Sequence, residues 1–468
     1  MSFKRKILAA SIALALAAPL GAQAADNTAE LAQIREQIKQ MKESYEARIQ
    51  SLEKRLQQAE TTAGKALVKA GKAEEQATQA AVAPQVTPPA AINAFNPGIS
   101  LILSGIYGNH SKDPAGYQIT GFHLPDGVLA DVAPQRGFGL TESELGIYAN
   151  VDPYFTGSMN FSIHPDNTVS TEEAFIQTLG LSHGLTVKAG RYFSGIGYLN
   201  EQHSHTWDFV DAPLAYQAFL GGQFNNDGVQ LRWLAPTDTF VELGAELGRG
   251  ASYPGTGRNK NGAGASAVFA HLGGDVGTSN SWRTGLSLLA TSPQDRTWND
   301  VDAFNTGVTN QFSGNSKLWV ADGVWKWAPN GNPYYTNFKL QGEYLRRVED
   351  GNLAYAVTPG TSGTPGAYSA TQSGWYLQGI YQFAPYWRAG LRTERLDHGS
   401  VDYGVNNANL LRPDYNPSRQ SVMVDYNPSE FSRIRLQFAQ DKSRQNMTDN
   451  QVFLQYQMSL GAHGAHTF

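Results

Sequence analysis

His203 and His205 stand one residue apart in a polar stretch, 194–226, that also carries Asn200, Glu201, Asp208 and Asp211. Imidazole and carboxylate together suit a divalent ion such as zinc. A loop with two histidines is more often simply polar, and the spacing alone assigns no metal. His463 and His466 form a second pair near the end of the chain. Other chemistry is excluded more firmly. There is no cysteine, which removes disulfides and thiolate catalysis. The ten histidines are scattered, and no nucleophile stands with a base, so neither an enzyme nor a cofactor is expected. The formal net charge is −5 and no basic stripe exists, which argues against a nucleic-acid partner.

The elements that must position these residues alternate with period two. Val452-Phe453-Leu454-Gln455-Tyr456-Gln457-Met458 puts apolar side chains on one face and polar ones on the other, and the pattern recurs upstream. Candidate strands fall near 99–109, 141–151, 154–164, 172–182, 185–193, 227–235, 239–249, 264–275, 281–292, 315–327, 334–347, 373–383, 386–396, 419–426, 431–440 and 450–460. The fold class expected is all-β, a transmembrane antiparallel β-barrel of about 16 strands over 99–468. Closure satisfies a sheet that is apolar outside and polar inside, because it leaves no edge.

Connection lengths alternate in agreement. Turns such as Asp152-Pro153, Ala384-Pro385 and Asn427-Pro428-Ser429 are short, whereas loops near 110–140, 194–226, 293–314, 348–372 and 397–418 are long. In an outer-membrane barrel the short turns face the periplasm. Aromatics beside them, among them Phe155, Trp233, Trp282, Trp325, Trp327, Phe383, Trp387, Tyr426 and Phe431, suit an interfacial girdle.

Parity then assigns the lumen. With Trp387, Ala389 and Leu391 toward lipid, Arg388, Arg392 and Glu394 face in. With Ile434, Leu436 and Phe438 out, Arg433, Arg435 and Gln437 face in. Asp322, Lys326, Lys339, Gln341, Glu343, Glu242, Glu246, Glu144 and Asp425 follow by the same rule. An Arg or Lys at mid-bilayer on the lipid face would cost about 2–4 kcal/mol. The rule fails at Arg191, which shares parity with Val187 and Ala189 unless Gly190 carries a bulge.

The first residues read as an export signal, 1–25: Lys4, Arg5 and Lys6, an apolar run from Ile7 to Leu20, then Ala22-Gln23-Ala24. An N-terminal α-helical coiled coil is expected over 26–81, with Leu31, Ile34, Ile38, Met41, Tyr45, Ile49, Leu52 and Leu56 along its seam. Ile34 and Ile38 favour three strands, hence a homotrimer with a periplasmic stalk. A solitary helix is the alternative, given the alanine-rich second half. Pro84, Pro88 and Pro89 mark a linker over 82–98.

Glu172-Glu173-Ala174-Phe175-Ile176-Gln177, the turn at His183-Gly184 and Leu185-Thr186-Val187-Lys188-Ala189-Gly190-Arg191 give the chain the look of a Gram-negative porin. With Gly195-Ile196-Gly197-Tyr198-Leu199-Asn200-Glu201, Asp208-Phe209-Val210-Asp211-Ala212-Pro213 and Leu340-Gln341-Gly342-Glu343-Tyr344, it resembles the phosphate-selective porin O and P family. The resemblance implies sixteen-stranded trimeric channels in the outer membrane. It also implies a third loop, 194–226, folded inward as a constriction, with Asn200, Glu201, His203, His205, Asp208 and Asp211 as eyelet candidates. That loop is acidic and histidine-bearing here, so phosphate selectivity is not carried over. The expectation is passive passage of small hydrophilic solutes or ions, with outer-membrane lipid around the barrel. A gated TonB-type receptor for a metal such as zinc and a structural anchor with a stalk toward the cell wall are the alternatives.

Overall fold

The computed structural model describes residues 97–461 apart from Glu142, Pro165, Asp166 and Lys260. The signal segment, the coiled coil, nearly all of the 82–98 linker and the His463/His466 pair lie outside the described residues. Gly98, assigned to the linker on sequence, is the first residue of a strand.

Eighteen strand segments form one antiparallel sheet. They are β1 (Gly98–His110), β2 (Gly137–Leu140), β3 (Ser143–Asn150), β4 (Phe155–Ile163), β5 (Val169–Thr178), β6 (Leu185–Phe193), β7 (Asn225–Leu234), β8 (Phe240–Gly248) and β9 (Ala265–Val276). Then follow β10 (Asn280–Thr291), β11 (Arg296–Val301), β12 (Gly307–Trp327), β13 (Asn337–Tyr355), β14 (Thr364–Ala384), β15 (Trp387–Asp402), β16 (Ser418–Ser429), β17 (Ser432–Lys442) and β18 (Asp449–Gly461). β2 and β3 lie end to end beside β1, and β10 and β11 end to end beside β12. The segments therefore occupy sixteen wall positions. β1 pairs with β18, from Ser100 opposite Gly461 to His110 opposite Gln451, so the wall closes.

The outer face is apolar. Leu231, Leu243, Val268, Leu286, Leu377, Leu391, Leu436, Phe438 and Leu454 are all exposed on it. Their strand neighbours Gln230, Ser287, Gln378, Arg392, Arg435, Gln437 and Gln455 are buried inside. Arg191 resolves without a bulge between β6 and β7: it is directly opposite Asp227 and pairs with it, Nε to Oδ1 at 2.6 Å, with both side chains partly exposed. An outward arginine is thus accompanied by its own counter-charge.

The strands differ from expectation on the long-loop side. The loops placed at 348–372 and 293–314 are largely ladder, formed by β13 with β14 and by β11 with β12. Glu349-Asp350-Gly351-Asn352 is polar on both faces, so the period-two signal fades there.

Two short helices sit in the loops: α1 (Asp126–Val132) between β1 and β2, and α2 (Leu214–Leu220) between β6 and β7. α2 starts after Pro213 and stops at Gly221, whose φ of 66° allows the left-handed cap. Every residue of α2 is buried. Its run Leu-Ala-Tyr-Gln-Ala-Phe-Leu is the apolar segment that an all-polar reading of the 194–226 loop overlooked.

Candidate channel lumen and its loop

The β6–β7 loop, 194–224, enters the barrel and is tied to the wall around its path. Asn200 closes the loop on itself: its side-chain amide donates to the carbonyls of Ser194 (2.8 Å) and Phe224 (2.9 Å), and its Oδ1 accepts from the Phe224 N–H (2.8 Å). It is fully buried and does not face the cavity described below, which corrects its assignment to the eyelet. Three of the amide's four hydrogen-bonding positions are taken by backbone groups at the loop base, and the side chain is buried away from solute.

Glu343 of β13 gathers the next turn. It accepts from the N–H groups of Tyr198 (3.2 Å) and Leu199 (3.0 Å) and from the hydroxyls of Tyr216 (2.8 Å) and Tyr376 (2.6 Å). Burial, and then Glu343, drive the Tyr216 hydroxyl well above its ordinary pKa, so it stays a donor. Glu246 of β8 similarly accepts from the Ser194 hydroxyl (2.6 Å) and the Gly195 N–H (2.8 Å).

The loop's charged residues each face an opposite charge. Glu201 pairs with Arg232 of β7. Asp208 meets Lys339 of β13 at 2.5 Å and Arg388 of β15 at 3.3 Å. Burial alone would raise the Asp208 pKa, but Lys339 and Arg388 outweigh it and hold the carboxylate well below its usual range. Asp211 meets Arg392 at 2.8 Å and Arg419 at 2.7 Å, and these cations overcome the same burial penalty. Arg435 of β17 donates to the Trp207 carbonyl at 2.8 Å, and Arg433 donates to the carbonyls of His205 and Trp207.

His203 and His205 lie against β3 and β5. Glu144 bridges them, with Oε2 3.1 Å from His203 Nδ1 and Oε1 2.6 Å from His205 Nδ1. Glu172 is 3.2 Å from the same His203 nitrogen, and Glu173 is 3.0 Å from His203 Nε2. Burial disfavours the charged ring, yet Glu144 and then Glu172 and Glu173 raise the His203 pKa well above its ordinary value.

Beneath the loop is a cavity of 1960 Å³. Its lining runs from Asp275, Asn332, Tyr334, Tyr386 and Glu430 at the short-turn rim to Tyr198, Glu201, His203, His205 and Asp208 of the loop. Its acidic residues are Glu144, Glu173, Glu201, Asp208, Glu242, Asp275 and Glu430; its lysines and arginines, equal in number, are Lys188, Arg232, Arg283, Lys326, Lys339, Arg388 and Arg433, with His203 and His205 besides.

Wall residues assigned to the lumen by parity therefore divide. Lys326, Lys339, Arg388 and Arg433 line the cavity, whereas Asp322, Glu343, Arg392, Glu394 and Arg435 point inward but are buried and absent from its lining. Arg392 and Arg419 both bond Glu394, at 2.7 and 3.0 Å, and Asp211 sits over them. Asp211 too is covered and does not line the cavity, a second correction to the eyelet set. Parity reports the side of the wall but cannot report what a loop lays over it. Arg419 was missed because it lies at the edge of its strand, and Arg232, Arg283 and Lys188 because their strands were not followed through. Alternation with Trp233, Trp282 and Val187 would have found those three.

On the other side of the loop the barrel is filled by apolar packing. Leu214, Tyr216, Phe219 and Leu220 of the β6–β7 loop join Tyr117, Ile119, Phe122 and Leu124 of the β1–β2 loop in one cluster. The cluster rests on Ala267, Leu289, Leu318, Val320, Leu345 and Leu396 of the wall, with Val128, Leu129 and Val132 of α1 packed against it.

No family model matches the chain. Among solved structures it is similar to the outer membrane channel DcaP of Acinetobacter baumannii, with a TM-score of 0.48 at 12% identity over 78% of this chain and 97% of that one. It is also similar to an OmpT loop-deletion mutant, an outer membrane protein of Vibrio cholerae, with a TM-score of 0.48 at 10% identity over 79% and 100%. For an anion-selective porin from Comamonas acidovorans the TM-score is 0.44 at 10% identity over 78% and 99%. By sequence, the chain is 31% identical over 405 residues, 81% of each chain, to an uncharacterized protein of Aquifex aeolicus (strain VF5), and it belongs to that protein's family.

Proposed function

We propose that the barrel is an outer-membrane channel for small hydrophilic solutes or ions, in which loop 194–224 sets the size limit. The observation that carries this reading is the closed wall, apolar outside, around a charged cavity of 1960 Å³ that begins at the short-turn rim and ends at the loop. Oxygen- and nitrogen-rich linings suit hydrated solutes, and a water-filled interior is the ordinary use of a wall this wide. The mixed acidic and basic lining supports weak charge preference rather than phosphate selectivity, even if the chain is allied to the phosphate-selective porins. Assembly as a homotrimer through residues 26–81, with that arm in the periplasm, belongs to the same proposal. So does removal of residues 1–25 on export.

The apolar cluster favours a second reading, in which the channel is closed at rest and opens when the loops shift. Recording from the purified protein in planar bilayers tests both. Steady ohmic current supports an open pore, rare brief openings support a closed one, and a barrel silent under all voltages supports a structural anchor. The charge preference is read from reversal potentials in a salt gradient. Replacing Arg388 or Arg433 moves the potential, whereas replacing Arg392 or Arg435, covered by the loop, leaves it unchanged. The opposite pattern refutes the assigned lining.

A further inference from the structure

We infer that Glu144, His203 and His205 form a site for a divalent transition-metal ion of the zinc class, with Glu172 as a fourth ligand. The geometry supplies the reason. One ligand atom from each of Glu144, His203 and His205 falls within 4.8 Å of the others. Both imidazoles turn Nδ1 toward the same carboxylate, His203 at 3.1 Å from one Glu144 oxygen and His205 at 2.6 Å from the other. Glu172 Oε2 stands 3.2 Å from the same Nδ1 of His203. Ligand atoms around a tetrahedral zinc ion are about 3.3 Å apart, from bond lengths near 2.0–2.1 Å. These nitrogens and oxygens reach that spacing with small side-chain shifts.

Charge and support agree. Two carboxylates neutralise a dication in a half-buried position, and the ion displaces any proton from the Nδ1 atoms that face it. Glu173 Oε2, 3.0 Å from His203 Nε2, is placed to accept from that N–H and fix the ring with Nδ1 toward the ion. Glu144, His203 and His205 all line the cavity, so an ion entering from the short-turn rim reaches the site without passing the apolar cluster. Because the histidines belong to the loop and the glutamates to β3 and β5, the ion would pin the loop to the wall. The site rests on side chains alone and stands whether or not the barrel conducts.

The test uses the full chain purified in detergent. Cobalt(II) is added and the visible absorption recorded, followed by competition with zinc. Expected are intense visible bands of four-coordinate cobalt, saturating at one ion per chain and abolished by zinc. The bands are lost in the double variant His203→Ala, His205→Ala and in Glu144→Gln, and kept in the variant His463→Ala, His466→Ala. Heat-modifiable gel mobility establishes that each variant is a folded barrel; Glu144→Gln, which keeps its size and shape, covers the case in which the histidine variant does not fold. No bands in the native protein, bands that persist in the folded double variant, or bands lost with the C-terminal histidines would each overturn the assignment.

Discussion

The two halves of the lumen are built on opposite principles. At the short-turn end the inward side chains are charged and surround open space, while at the long-loop end Leu289, Leu318, Leu345 and Leu396 are covered by α2 and the β1–β2 loop, and the charges among them, Arg296 with Glu349 and Arg392 with Glu394, are buried as ion pairs. The same wall thus serves as a solvated lining below and as one side of a dry core above. The difference teaches that inward parity specifies a neighbour, not a solvent: the neighbour is water where no loop reaches and a loop where one does.

Substitutions that break the dry half carry the largest effects. Phe219→Ala should loosen the loop packing by about 3–5 kcal/mol. Hydrogen exchange at 214–220 should rise sharply and open-channel events should become more frequent, with little change in the thermal transition of the barrel. Glu394→Ala should be similar, at about 3–5 kcal/mol, because it strips two buried cations, Arg392 and Arg419, of a shared partner. Denaturant titration of the folded barrel reads it directly. If Phe219→Ala leaves exchange at 214–220 unaltered, the dry half is not what holds the loop.

The boundary between the halves is sharpened by pH. Asp208 and Asp211 have folded-state pKa values depressed below the ordinary 3.8, so their contribution is complete above that value and lost as pH falls through the lower folded values. The loop should therefore stay docked at neutral pH and release only in strong acid, detected as a rise in proteolytic cleavage within 194–224 at acid pH. Asp208→Asn should move the onset of release to milder acid. The smallest effect is expected outside the lumen: Arg191→Ala removes a partly exposed pair with Asp227 and should change stability by no more than about 1 kcal/mol, seen as a slight shift in the urea midpoint.

Much of the wall was legible because each strand carries apolar residues on its outward face and polar ones on its inward face. β6 was placed residue for residue, and β7, β8, β9 and β10 within two residues, from alternation and the turn signals that bound each strand. The hairpin of β13 and β14 was cut short because its outer part reverses the pattern of the wall: outward residues such as Asp350 and Ser369 are polar, while Leu353, Tyr368 and Ala370 are buried in an apolar cluster with Trp298 and Phe312. The loop's importance was visible in its position between β6 and β7, but not its internal roles. Asn200 and Asp211 look like solute ligands on composition, and only the fold shows that they serve the loop's own base and the covered arginines. The Glu144–His203–His205 cluster was half legible: the histidines stood together in sequence, while Glu144 and Glu172 came from strands that no local spacing connects to them.

The unequal strands leave one more consequence. β12, β13 and β14 run for 21, 19 and 21 residues, whereas β4 to β8 have nine or ten. At about 3.3 Å per residue and a tilt near 45°, the tall side rises about 50 Å and the low side about 20 Å. In the proposed orientation the outer opening is a slanted parapet. Large particles from outside would touch the high crest first.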